Sequence, residues 1–223
     1  MTCAKYIFGK VIIFRLILSC FKENFDFACI NLLNMKNIAI FASGSGTNAE
    51  NIIRYFSGNK NIATPVVLCN KPDAGVLERA SRLGVATEVF TAAQMRTPGF
   101  ISGILDRYAV DYVVLAGFLL LVPAEVTEAY RGRIVNIHPA LLPSYGGKGM
   151  YGDRVHEAVI AAGEKRSGIT IHHVTENYDE GANIFQAFVD IMPDDTPASL
   201  AAKIHKLEYE HFPAVIEREI EQL

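Results

Sequence analysis

Cysteine is nearly missing from most of this chain. Of 4 cysteines in 223 residues, Cys3, Cys20 and Cys29 fall within the first 34, and only Cys69 lies beyond them. A single cysteine cannot close an internal disulfide, and no CxxC or His/Cys cluster offers zinc-ligand spacing. That excludes a disulfide scaffold and a zinc module, and it fits a reducing, cytoplasmic setting. Cys69 ends an apolar run and reads as core. A long uncharged apolar run is missing too. The best one, Tyr6 to Cys20, is broken by Lys10 and Arg15, whereas a spanning helix needs about 20 apolar residues with few charges. No clear small-residue cleavage site follows it, so a secretory signal fits poorly. No basic stripe exists either. The formal net charge is −3, which gives no reason to expect nucleic acid as a partner. Internal repeats, low-complexity segments and flexible linkers are also absent.

What is present has the balance of a globular protein: 50% hydrophobic and 20% charged residues, enough for a sizeable core. Residues 1–34 differ from the rest. They are expected to be an N-terminal extension outside the fold, translated from upstream sequence, with a membrane-associating leader as the alternative. Met35 is expected to open a single domain covering residues 35–223.

From Met35 onward apolar runs alternate with helical spacing. Strands are expected at Ile38–Ala42, Pro65–Cys69, Thr87–Phe90, Tyr112–Ala116 and Ile134–His138. Helices are expected through Asn51–Phe56, from an Asp73 cap to Leu83, from Pro98 to Tyr108, and from Pro123. This rhythm predicts an α/β fold: a doubly wound, mainly parallel sheet with a Rossmann-like N-terminal half. The second half adds a Pro/Gly-rich loop over 141–151, helical spacing from Val155 to Ala162, and an alternating strand from Gly168 to Val174. A strand over Ile184–Ile191 follows, then a long helix behind Thr196-Pro197.

Four stretches could carry chemistry. Ser43-Gly44-Ser45-Gly46-Thr47-Asn48 follows a strand and opens a helix. Glycine lets backbone approach a ligand, and free N–H groups at a helix start attract phosphate. The stretch is neither GxGxxG nor a Walker loop, so a plain βα turn is the competing reading. Asn136-Ile137-His138-Pro139 places a carboxamide and an imidazole at i and i+2, on one face of a strand end. That pair suits a reaction in which charge develops on a carbonyl oxygen while a proton moves. Val174 to Gly181 brings carboxylates after the alternating strand. One could reach His138 and raise its pKa, although the residues alone favour an ordinary acidic turn. His205 and Glu208 share a face of the last helix, where a solvated stripe is the better reading of the residues alone.

Together these stretches resemble the glycinamide ribonucleotide formyltransferases, folate-dependent enzymes of purine synthesis. The resemblance runs from about Met35 to the C-terminus. It rests on 43–48, on Leu115-Ala116-Gly117-Phe118, on Asn136-Ile137-His138-Pro139-Ala140-Leu141-Leu142-Pro143, and on Asp179-Glu180-Gly181. It implies a formyl group moving from 10-formyltetrahydrofolate to 5-phosphoribosylglycinamide, with no metal, in a monomer or weak homodimer. Asn136, His138 and Asp179 are the implied catalytic trio. Ser45, Gly46, Thr47, Asn48, His205 and Glu208 are implied to hold the ribonucleotide. Leu119, Leu120, Leu121 and Val122, with Asn136 and Thr175, Glu176, Asn177, Tyr178 and Asp179, are implied to hold the folate. Arg96, displaced from the family's arginine by Pro98-Gly99, is a further folate contact on this reading. Leu119-Leu120 replaces a Met-Arg common in the family and so loses a cation. The alternatives are another 10-formyltetrahydrofolate-using transferase or hydrolase, and a non-catalytic nucleotide-binding Rossmann module.

Overall fold

In the computed structural model residues 35–223 are described; the expectations for 1–34 lie outside them. Lys36–Leu223 forms one compact unit by itself. Its strands are β1 (Lys36–Ala42), β2 (Ile62–Cys69), β3 (Ala86–Val89), β4 (Tyr112–Leu115), β5 (Ile134–His138), β6 (Arg166–His173) and β7 (Asn183–Asp190). Its helices are α1 (Thr47–Phe56), α2 (Gly75–Arg82), α3 (Ala92–Met95), α4 (Phe100–Arg107), α5 (Ala124–Ala129), α6 (Asp153–Ala161) and α7 (Pro197–Ile220).

The strands form one sheet in the order β3-β2-β1-β4-β5-β6-β7. β1 to β5 pair in parallel, and β6 pairs antiparallel with both β5 and β7. The period of two along each central strand splits the core into two layers. Ile38, Ile40, Val67, Tyr112 and Val114 face α1, α2, α6 and α7. Ala39, Phe41, Val66, Leu68, Val113 and Leu115 face α3, α4 and α5, where Phe41 packs edge-on to Phe90 and Phe118. Strands buried on both sides explain why their sequences read as unbroken apolar runs. Cys69 is buried as expected, and burial pushes its thiol pKa up.

The chain leaves β1 in one direction along the sheet and returns to β4 on its other side. Ligands of open α/β sheets bind at the carboxyl ends of strands at such a reversal. The Ser43 side chain ties the two sides together there. It donates to Asn70 Oδ1 at 2.6 Å and accepts from the Leu119 N–H at 3.0 Å.

Some helix starts differ from expectation. Asp73 does not cap α2. Residues 71–74 form a turn, and Ala74 is the N-cap with no side-chain bond. Pro98 does not open α4. Gly99, in the left-handed region at φ 77°, turns the chain so that the helix begins at Phe100. α3 was not expected, although Thr91 and Gln94 form a capping box that is legible in the residues. The Thr196-Pro197 start of α7 is present, with a reciprocal Thr196–Ser199 cap.

Candidate active site

A cavity of about 600 Å³ opens at the carboxyl ends of β1, β4 and β5, within the usual size range for small-molecule sites. Its walls come from 43–48, 115–122, 136–139, 147–152, and from β6 and the turn after it. His205 and Glu208 close it from α7.

The first wall is the β1–α1 loop. Gly46 is the N-cap of α1 at φ 79°, with no side chain capping the helix. A Cβ on Gly46 would sit 2.5 Å from Val76 of α2, so the tight approach of α2 requires glycine there. The first-turn N–H groups of α1 are left without a side-chain cap, the arrangement that favours an anion. Asn48 Nδ2 donates to Glu208 Oε2 at 2.9 Å, and His205 Nδ1 lies 2.9 Å from the same oxygen. Glu208 is 5% exposed, so the solvated-stripe reading of this helix face fails at this residue. A carboxylate tolerates such burial because two donors meet it. The hydrogen bond to Glu208 raises the pKa of His205 against its partial desolvation. The exposed ring of His205 is thereby biased towards a cation at the cavity edge.

The catalytic candidates converge at the end of β5. Asn136 and His138 leave the strand on one face, as their spacing requires. His138 is 4% exposed. Its Nε2 lies 2.7 Å from the Tyr145 carbonyl oxygen. A carbonyl only accepts, so Nε2 carries the proton and the lone pair of a neutral ring sits on Nδ1. Nδ1 lies 3.7 Å from Asp179 Oδ2.

Asp179 does raise the pKa of His138, as expected, but burial of the ring outweighs it. Burial lowers it more than Asp179 and the Tyr145 carbonyl raise it, so the net shift is downward. His138 therefore rests unprotonated near neutral pH. Burial pushes Asp179 up, but the His172 and His138 rings when protonated, and the Gly147 N–H, more than offset it, so the carboxyl ionises below its ordinary range. Gly147 donates to Asp179 Oδ2 at 2.8 Å.

Asp179 itself sits at φ 56°, a region that aspartate tolerates better than most residues. Two residues on, Gly181 lies against the His173 carbonyl of β6, where a Cβ would collide with backbone. That close approach folds the turn back and delivers the carboxylate to the cavity. The ordinary-acidic-turn reading is thus replaced for Asp179.

Sequence reasoning gave no role to His172. The ring is 2% exposed, with Nδ1 2.8 Å from the His173 carbonyl oxygen. With the proton on Nδ1, Nε2 accepts from Asn136 Nδ2 at 3.1 Å. That contact fixes which end of the amide is the donor. The same nitrogen is only loosely held by Asp179 Oδ1, at 3.5 Å, leaving one N–H for a ligand oxygen. The signal was present in the sequence, since Thr170 and His172 alternate away from Ile169 and Ile171.

Leu119, Leu120, Leu121, Val122, Thr175, Asn177 and Tyr178 all line the cavity. Two expected contacts do not. Arg96 is exposed at the C-cap of α3, away from the lining, because Pro98-Gly99 turns the chain before α4. Glu176 points to Arg131, 3.8 Å away. No cluster that could hold a metal occurs among the described residues, and no described helix is long and apolar enough to cross a membrane.

The formyl transferase family profile matches residues 36–216. The chloroplastic phosphoribosylglycinamide formyltransferase of Arabidopsis thaliana is 41% identical over 195 residues, covering 83% of this chain and 67% of the relative. The phosphoribosylglycinamide formyltransferase of Bacillus subtilis is 36% identical, covering 82% of this chain and 94% of the relative. Among solved structures, glycinamide ribonucleotide transformylase 1 from Symbiobacterium toebii superposes with a TM-score of 0.77 at 34% identity, covering 85% of this chain and 89% of that one.

Proposed function

The chain belongs to the formyl transferase family, and from that premise we propose that it transfers the formyl group of 10-formyltetrahydrofolate to the amine of 5-phosphoribosylglycinamide, the third step of de novo purine synthesis. The family uses a folate-type co-substrate and small-molecule substrates. The single observation that carries the finer reading is the meeting of Asn136, His138 and Asp179 in one cavity, with an uncapped helix start at one end and the 119–122 backbone at the other.

The ribonucleotide phosphate lies at Ser45, Gly46, Thr47 and Asn48, with His205 as the nearby cation and Glu208 holding that corner together. The pterin lies against Leu119–Val122 and the turn at Thr175, Asn177 and Tyr178. The substrate amine attacks the formyl carbon, a C–N bond forms, and the carbonyl π electrons move onto oxygen. Asn136 donates its free N–H to that oxyanion. His138 takes the proton of the attacking nitrogen on Nδ1, and the Asp179 carboxylate stabilises the imidazolium. The proton then passes to the folate nitrogen as its bond to carbon breaks. Cys69, the one cysteine among the described residues, is buried and free, which supports a reducing compartment, and we place the protein in the cytoplasm.

The direct test follows tetrahydrofolate product by absorbance, with 5-phosphoribosylglycinamide, with a simple amine and with water alone as acceptor. Turnover only with the ribonucleotide is expected. Equal turnover with water alone would make the protein a hydrolase instead.

A second measurement addresses the proton. Asp179 raises the pKa of His138 against the downward push of burial. Removing that charge by Asp179→Asn should lower it further, so the acid limb of the turnover profile moves to lower pH. The His138 ring-proton NMR titration should move with it. An unmoved titration would mean that the 3.7 Å approach carries no coupling.

A further inference from the structure

One buried group in the cavity wall has no part in this scheme. His156, in the first turns of α6, is 3% exposed and lines the cavity. Its Nδ1 is buried without a hydrogen-bond partner, and among the described residues no hydrogen bond to Nε2 is found either. Buried polar atoms are nearly always satisfied, because leaving one bare costs roughly 1–3 kcal/mol. Nδ1 itself is sealed off, whereas Nε2, unpaired and not among the fully buried atoms, is the ring nitrogen that a ligand in the cavity can reach.

The surroundings indicate which part of the ligand. The charges that act on His156 come from His205, Glu208, Asp153 and His138. It therefore lies within electrostatic reach of both the corner given to the ribonucleotide and the base at the reacting carbon. The sugar is what spans those two points, joining the phosphate to the amine-bearing arm. Burial, and then His205, lower the pKa of the ring, so near neutral pH it offers one N–H donor and one lone pair. A hydroxyl also donates once and accepts, whereas a phosphate would favour a charged ring.

We propose that His156 is a ligand of the amine substrate, hydrogen-bonding an uncharged sugar hydroxyl between the phosphate corner and the reacting amine. This rests on the reading in the preceding subsection and adds a residue to it.

The test uses the full chain with His156→Phe, which fills the space without polar atoms, and His156→Asn, which keeps a donor and an acceptor. His156→Phe should raise the KM for 5-phosphoribosylglycinamide about tenfold, with the KM for 10-formyltetrahydrofolate within about twofold. Inhibition by ribose 5-phosphate should weaken in parallel, and His156→Asn should recover part of both losses. An unchanged ribonucleotide KM overturns the assignment. So does an equal rise in both KM values, with a lower melting temperature and no recovery in His156→Asn, which would make His156 a packing residue. Unchanged inhibition by ribose 5-phosphate overturns the sugar contact. A wild-type protein without turnover on this amine would overturn the proposed function itself, and this inference with it.

Discussion

His138→Ala is expected to lower turnover by about 100-fold or more, while both substrates still bind, because a positioned general base contributes about 10²–10⁴ in rate. The argument starts from the tautomer. The Tyr145 carbonyl fixes the proton on Nε2 and leaves Nδ1 as the acceptor, 3.7 Å from Asp179. Burial keeps the resting ring unprotonated, since the net pKa shift is downward from the ordinary histidine value. The sign of the pH dependence follows. A base with a lowered pKa stays competent below the pH at which a free histidine would be half protonated, so turnover should hold on the acid side and fall only beneath that value. In His138→Ala this limb should disappear along with the rate. A purified variant with near-normal turnover, or with the same acid limb, would take His138 out of the mechanism.

Asn136→Ala should cost a similar factor by a different route. One preorganised donor to a developing oxyanion is worth about 3–4 kcal/mol of barrier, again about 100-fold or more in turnover. Here the loss should appear in kcat far more than in either KM, because the bond strengthens as charge builds on oxygen. The pH limb set by His138 should survive, which separates this variant from the first. The orientation of the amide depends on His172, whose Nε2 holds Asn136 Nδ2 at 3.1 Å. A loss confined to KM would show that Asn136 holds the ground state only, and the oxyanion role would then fail.

The two proposed catalytic residues on β5 and the anion-ready loop before α1 were legible because they depend on local rules. Spacing of two on an extended strand puts Asn136 and His138 on one face wherever the strand ends up. A glycine-rich stretch between a strand and a helical pattern marks a helix start whose free N–H groups can meet an anion. The layers of the core were legible for a similar reason, since alternation sorts Ile38 and Ile40 from Ala39 and Phe41 before any partner is known. Asp179 and Glu208 were different. Each reads locally as an ordinary exposed acid, and only the resemblance to the formyltransferases pointed to them. Glu208 is buried because Asn48 arrives from the far end of the chain to meet it. Asp179 enters the cavity because Gly181 lets the turn lie flat on β6.

The sequence by itself determined the α/β alternation, the two-faced strands, and a carboxamide with an imidazole aimed at one place. These follow from the backbone period and from residue types a few positions apart. Only the tertiary structure decided the proton. Whether His138 is raised by a carboxylate or lowered by burial is a contest between Coulomb attraction and desolvation, and the outcome depends on distances and solvent exclusion set by Tyr145, Asp179 and the loop between β5 and α6. Likewise, nothing in its own neighbours along the chain announces that the ring of His156 is buried in the cavity wall with an unpaired nitrogen.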